Sequence, residues 1–172
     1  MGTWKEENLL GRVRESEKVV ARDKKHLKRL IKYRIEKRGL NCSLNDIDVS
    51  QITDMSGLFK NYNFNGDISE WDVSSVKDMS HMFYFSKFNG DISNWDVSNV
   101  EDMFAMFANS RFNSDISNWD VSNVEDMSYM FWGSRFNRNI SQWDISNVKA
   151  MSAMFIDSPL EGNEPDWFDN YY

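Results

Sequence analysis

Tryptophan recurs in this chain at a fixed interval: Trp71, Trp95, Trp119, Trp143 and Trp167 lie 24 residues apart. Two phenylalanine columns share the period. One is Phe59, Phe83, Phe107, Phe131 and Phe155; the other is Phe64, Phe88, Phe112 and Phe136, continued by Leu160. Nine of the ten methionines fall in register, at Met55, Met79, Met103, Met127 and Met151 and, three residues further on, at Met82, Met106, Met130 and Met154. A unit of this size cannot bury its own apolar stripe. Copies must stack, each touching its neighbours, so that the stripes join into one core. Bulky, adaptable Met and Phe side chains suit such repeated packing.

A whole unit reads DISNWDVSNVEDMSYMFWGSRFNR from Asp115. Within it Val124, Met127, Met130 and Phe131 are spaced as on a helix, so NVEDMSYMF is expected to form about two amphipathic turns. Asn123 is a good N-cap with Asp126 three residues on, and the pairs Asn99 with Asp102 and Ser75 with Asp78 repeat the pattern. Before each helix, Trp119 and Val121 alternate with Asn118 and Asp120, which suits a short strand. The Phe-Asn-Gly-Asp stretch between units reads as a turn, with Gly66 and Gly90 supplying permissive backbone. The expected fold is an α/β repeat solenoid, leucine-rich-repeat-like, with one short strand and one short helix per turn and a helical N-terminal cap. Strands stack about 4.8 Å apart and helices roughly 8–10 Å apart, so such a solenoid curves with its strands on the concave side.

The residues that repeat also carry a resemblance. The pattern D-I-S-x-W-D-V-S-N-V-x-D-M-S-x-M-F, with F-N-G-D between copies, resembles the BspA-like leucine-rich-repeat family of bacterial surface and mobile-element proteins, over roughly residues 44 to 168. The stretch VVARDKKHLKRLIKYRIEKRGLNCSLNDIDVS is similar to the capping region that precedes such repeats. The resemblance implies adhesion and protein binding. Surface members carry a signal peptide or lipoprotein cysteine that this sequence does not show, so the chain reads as cytoplasmic as given.

Charge divides the chain into a basic segment with a capping helix, residues 1–40, and a repeat array with a C-terminal cap, residues 41–172. The first holds thirteen Lys/Arg against six Asp/Glu; the second holds seven against twenty-one. In the first, Asp23 can N-cap a helix from Lys24 to Arg38 that Gly39 stops. Its apolar face, Leu27, Leu30, Ile31 and Ile35, is expected to seal the first turn. Its polar side, Lys24, Lys25, Lys28, Arg29 and Lys32, reads first as a solvated face opposite the acidic repeats and second as a nucleic-acid contact. Residues 1–16, Trp4 among them, receive no assignment. At the other end Trp167 keeps register, and Pro165 is one way to blunt a sheet edge.

Little here points to catalysis, cofactor or metal. His26 and His81 read as surface histidines without a nucleophile or carboxylate set by spacing. Cys42, alone, cannot form an internal disulfide. No glycine loop cradles phosphate, and no Cys/His set has metal spacing. Two aspartate columns, Asp72, Asp96, Asp120 and Asp144 and Asp67, Asp91 and Asp115, would repel when stacked. Hydrogen bonds from backbone N–H groups and nearby Ser or Asn are the expected remedy, with a bound cation as the alternative.

The function read from this is a protein–protein interaction module without catalysis, its partner unidentified. Alternatives are an acidic inhibitor or nucleic-acid-mimicking decoy, and a surface adhesin whose export signal is missing. No run of residues could span a bilayer. Since the core columns barely vary, a partner surface must use columns that do. On the expected helix, Tyr129 and Trp132 point outward; their equivalents are His81, Ala105 and Ala153, and Tyr84, Ala108 and Ile156. Two aromatic ridges, His81 with Tyr84 and Tyr129 with Trp132, are therefore expected to flank a shallow dip over Ala105 and Ala108, as anchors of an interface or of self-association.

Overall fold

The computed structural model describes residues 18–169. It opens with a two-residue strand, β1 (Val19–Val20), followed by helix α1 (Lys24–Arg38) and strand β2 (Ile47–Asp48), and ends in a single helical turn, α2 (Asp166–Asp169). β1 pairs in parallel with β2, Val19 opposite Ile47. Helix α1 starts where expected, because the Asp23 carboxylate accepts the N–H of His26 at 2.7 Å, and stops at Gly39, whose φ is 87°. Leu27, Leu30, Ile31 and Ile35 are buried in one apolar cluster with the repeats, so the segment before residue 41 and the array share a core.

Between Ile52 and Pro159 the chain winds in 24-residue coils, and the coils stack in parallel register: Asp54, Asp78, Asp102, Asp126 and Ala150 bridge one to the next. Trp71, Trp95, Trp119 and Trp143, all the in-register phenylalanines and the nine in-register methionines are buried. Their rings stack with almost parallel planes, Phe83 on Phe107 at 5.6 Å and Trp71 on Trp95 at 6.5 Å between centroids.

The secondary structure inside the coil differs from expectation on both sides. The stretch expected to be helical is a run of turns. The N–H groups of Met79, His81, Phe83 and Phe85 donate to the carbonyls of Asp102, Phe104, Met106 and Ala108 in the next coil, at 2.8–3.0 Å. The residues between them, Met82, Tyr84 and Ser86, donate three residues back within their own coil. Two columns are left-handed: Gly57, His81, Ala105, Tyr129 and Ala153, and Asn61, Phe85, Asn109, Gly133 and Asp157, with φ between 50° and 61°. A left-handed residue other than glycine costs roughly 1–2 kcal/mol, and the coil accepts that cost because the coils sit too close for helices. Ring spacings near 6 Å are well short of the 8–10 Å that packed helices need. At that distance a flat run of turns can hand every second N–H to its neighbour, whereas a two-turn helix would leave most of its end groups unbonded.

The capping boxes go with the helices. Asn99, Asn123 and Asn147 donate their side-chain amides to Ser74, Ser98 and Ser122 carbonyls one coil back, at 2.7–2.8 Å. Where a strand was expected, around Trp119, there are two turns, closed by Trp119 N–H to Ile116 and Val124 N–H to Val121. On this side the cross-coil links come from side chains: each indole N–H reaches back to a carbonyl, Trp119 to Ile92 at 3.1 Å, and Trp167 in α2 does the same to Ile140 at 3.0 Å. A third ladder joins the Asn column, Asn113 N–H to the Asn89 side chain at 2.6 Å and Asn137 to Asn113 at 2.9 Å. Without helices in the coil, the spacing mismatch that implied curvature with concave strands disappears. Gly66 and Gly90 are likewise needed for another reason: neither has a positive φ. A Cβ at Gly66 would run into the Cys42 carbonyl, and at Gly90 it would lie 2.8 Å from the Phe88 ring.

Candidate interaction surface

The left-handed turns decide which side chains reach the surface. His81 and Tyr129 occupy the same turn position two coils apart, each with φ above 50°. Tyr84 and Trp132 follow three residues later, half-buried. The two expected ridges exist: the His81 and Tyr84 rings meet edge-on at 5.4 Å, and Tyr129 and Trp132 at 6.4 Å.

No dip separates them. Phe104 stands between, 5.0 Å from His81 and 5.7 Å from Tyr129, and makes one continuous aromatic strip. Ala105, at 3% exposure, and Ala108 are buried, and are therefore corrected from contact residues to floor. The expectation failed because helical geometry counted only the columns at Tyr129 and Trp132. The missed signal is visible in the sequence, where Phe104 breaks a column of serines, Ser56, Ser80, Ser128 and Ser152. Phe85, 51% exposed and 4.7 Å from the Tyr84 ring, likewise replaces Asn61 and Asn109 in its column. Lys60 sets its ammonium 4.8 Å over Tyr84, a cation–π contact that closes one end of the strip.

Electrostatics differ on the two flanks. Asp78, Asp102 and Asp126 lie just before the strip in chain order. Burial raises Asp102 above the ordinary carboxylate range; the Phe104 N–H, donating at 2.7 Å, opposes this, while Asp78 and Asp126 add to it. Burial and the Lys60 ammonium lower His81, against the pull of Asp102 and Asp78. Outside these lie Lys77, Glu101, Glu125 and Lys149, one column that compensates itself through Lys77–Glu101 at 2.6 Å and Glu125–Lys149 at 2.7 Å.

The other singled-out groups have local partners. Asp67, Asp91 and Asp115 each accept the N–H of the serine two residues on, at 2.9–3.0 Å, and Asp72, Asp96, Asp120 and Asp144 do the same at 3.0–3.1 Å. The Ser93, Ser117 and Ser146 backbone groups hold Asp91, Asp115 and Asp144 below the usual carboxylate range. Among the described residues no three His, Cys, Asp or Glu side chains are grouped to hold a metal ion. On α1, Lys24 reaches Asp54 at 2.7 Å, and Arg34 and Arg38 share Asp46, so part of the basic face ties down the array. Lys25, Lys28 and Arg29 are exposed. His26 is corrected from surface to interior: it is 6% exposed, its Nδ1 accepts the Arg22 N–H, and burial first, then Arg22 and Arg29, lower its pKa. Cys42 is half-buried, and burial raises its thiol pKa. Trp4 and the rest of residues 1–16 lie outside the described residues.

Coils of one length, stacked in register on continuous aromatic columns, mark a repeat protein. The chain belongs to the family described as Mycoplasma protein of unknown function, DUF285, whose model matches residues 25–133 and again 63–167. The overlap of the two matches is what a sequence of near-identical units produces. No curated protein and no solved structure matches the chain. Among the described residues no helix is long and apolar enough to cross a membrane.

Proposed function

We propose that this protein is a non-catalytic protein-interaction module, a solenoid of turns rather than of strands and helices, akin to the BspA-like repeat proteins, that binds its partner through the aromatic strip. The observation that carries this is the run Tyr84–His81–Phe104–Tyr129–Trp132, unbroken across three coils, in columns that elsewhere hold serine, alanine, glycine, lysine or isoleucine. Tyr129 is 39% exposed, on a face where the core needs no ring. Aromatic anchors set in a shell of small and polar residues are typical of interface hot spots. The strip also favours this reading over an acidic decoy, which would rely on the aspartate columns alone.

The test is capture of partners from the native host, followed by affinity measurement with Tyr129→Ala/Trp132→Ala, first shown by circular dichroism to be folded. Loss of about 2 kcal/mol or more, roughly thirtyfold in affinity, is expected if these rings are anchors. A folded double variant that keeps full affinity refutes the strip. A decoy would instead lose affinity steeply with added salt in the unmodified protein and be indifferent to the double substitution.

A further inference from the structure

Resting on the strip as the binding surface, we infer that its partner is a protein segment carrying carboxylates beside apolar or aromatic side chains. One column of like charges on the array has no ion-pair partner among the described residues. Lys87, Arg111 and Arg135 occupy equivalent positions in three successive coils, all exposed. The backbone N–H of each bonds one coil back, to Tyr62, Ser86 and Ser110, at 3.2–3.3 Å, which sets the three basic residues one above another in register. Like charges at such spacing repel.

Three other charged columns on the array are relieved. Lys77 pairs with Glu101 and Lys149 with Glu125; the aspartates of the two exposed columns accept serine N–H groups. Among the described residues neither Lys87, Arg111 nor Arg135 has an ion-pair partner. The repulsion is retained on a chain whose net charge is −7, where basic residues are scarce in the repeats.

The column lies beside the strip. Lys87 and Arg135 follow Tyr84 and Trp132 by three residues in the same coils, with only one buried position, Ser86 or Ser134, in each interval. Lys60, over Tyr84, adds a positive charge at one end of the strip. A segment lying along the strip thus meets cations on one side and the carboxylates of Asp78, Asp102 and Asp126 on the other. Its own negative charge must sit toward the Lys87 side, which also sets its orientation.

Single-stranded nucleic acid would use the same cations, but its bases need open ring faces. The strip offers few. Its rings meet at interplanar angles of 53° to 90°, each edge closing on the next face. Such a herringbone surface leaves notches between rings, which fit apolar side chains better than stacked bases.

The experiment uses the full chain and three probes by fluorescence anisotropy. They are a peptide of about twelve residues alternating Glu with Trp or Leu, its Lys-for-Glu counterpart, and an oligothymidylate of similar length. The acidic peptide should bind, weakening as salt is raised, with the lysine peptide and oligothymidylate at least tenfold weaker. Lys87→Gln/Arg111→Gln/Arg135→Gln should weaken the acidic peptide about tenfold at low salt and flatten its salt dependence. Lys87→Glu/Arg111→Glu/Arg135→Glu, if it folds, should weaken it further. Equal binding of the two peptides, tighter binding of oligothymidylate, no binding of the acidic peptide, or full affinity in the glutamine variant would each overturn the inference. If Tyr129→Ala/Trp132→Ala still abolishes capture of the native partner in that event, the strip stands and only the acidic chemistry falls.

Discussion

Residues 24–38 and residues 76–86 both place apolar side chains three and four apart, and they adopt different structures. In α1 the pattern makes a helix of 15 residues with its own cap, its own stop and one face on the core. In the coil, Val76, Met79, Met82 and Phe83 are as deeply buried as that face, yet the backbone alternates between turns and cross-coil bonds. The difference lies in what stands next door. Helix α1 covers the end of the array, where nothing parallel to it demands a backbone partner. The coil has a copy of itself packed at ring-stacking distance on either side, and shared hydrogen bonds outweigh the local preference. Apolar periodicity reports which side chains are buried. It reports the backbone only where neighbours leave the backbone to itself.

This contrast can be broken most severely at the covered end. Leu27→Asp/Leu30→Asp puts two charges where the side chains are fully buried, each costing several kcal/mol. Loss of cooperative unfolding, with aggregation by light scattering, is expected; a soluble, cooperatively melting variant would mean that α1 does not seal the core. Next in size, Trp119→Phe keeps the stack but removes the indole N–H that donates to the Ile92 carbonyl. That carbonyl keeps the Trp95 N–H at 3.2 Å, so the cost in urea denaturation should be one lost cross-coil hydrogen bond plus the gap left by the smaller ring, about 1–3 kcal/mol together.

Smaller, but sharper in sign, is a pair of glycine substitutions. Lys32→Gly in α1 should cost about 1 kcal/mol, as in any exposed helix interior. Ala105→Gly should cost nothing or stabilise by up to about 1 kcal/mol, since Ala105 has φ 50° and glycine relieves its left-handed strain. Were the coil helical, both substitutions would cost about the same. The smallest effect is expected at Asp102, whose raised pKa means that its contribution to stability is full below the ordinary carboxylate value and lost as pH rises through the folded one. Asp102→Asn keeps an acceptor for the Phe104 N–H and removes the charge between Asp78 and Asp126. The melting temperature should rise slightly at pH 7, with the gain vanishing below about pH 4.

Much of the fold was legible in residues alone. The period, the buried columns and helix α1 with Asp23 and Gly39 are all where the pattern put them. The serine side chains and N–H groups beside the aspartate columns were legible too, since an Asp two residues before a Ser can bond it locally. The site was half legible. His81, Tyr84, Tyr129 and Trp132 do face outward or lie partly exposed, because variation among repeats marks what the core does not require. Phe104 and the burial of Ala105 and Ala108 were not, because their placement depends on φ values near 50° that no local sequence rule assigns to alanine, tyrosine or histidine.

By itself, then, the sequence determined the repeat length, the composition of the core and the one helix, since each of these follows from hydrophobic spacing or from a cap within a few residues. Only the tertiary structure decided the shape of the coil. Whether Met79 to Ser86 winds as a helix or lies flat depends on the carbonyls of Asp102 to Ala108, one coil away, and on a stacking distance set by aromatic rings from every unit at once.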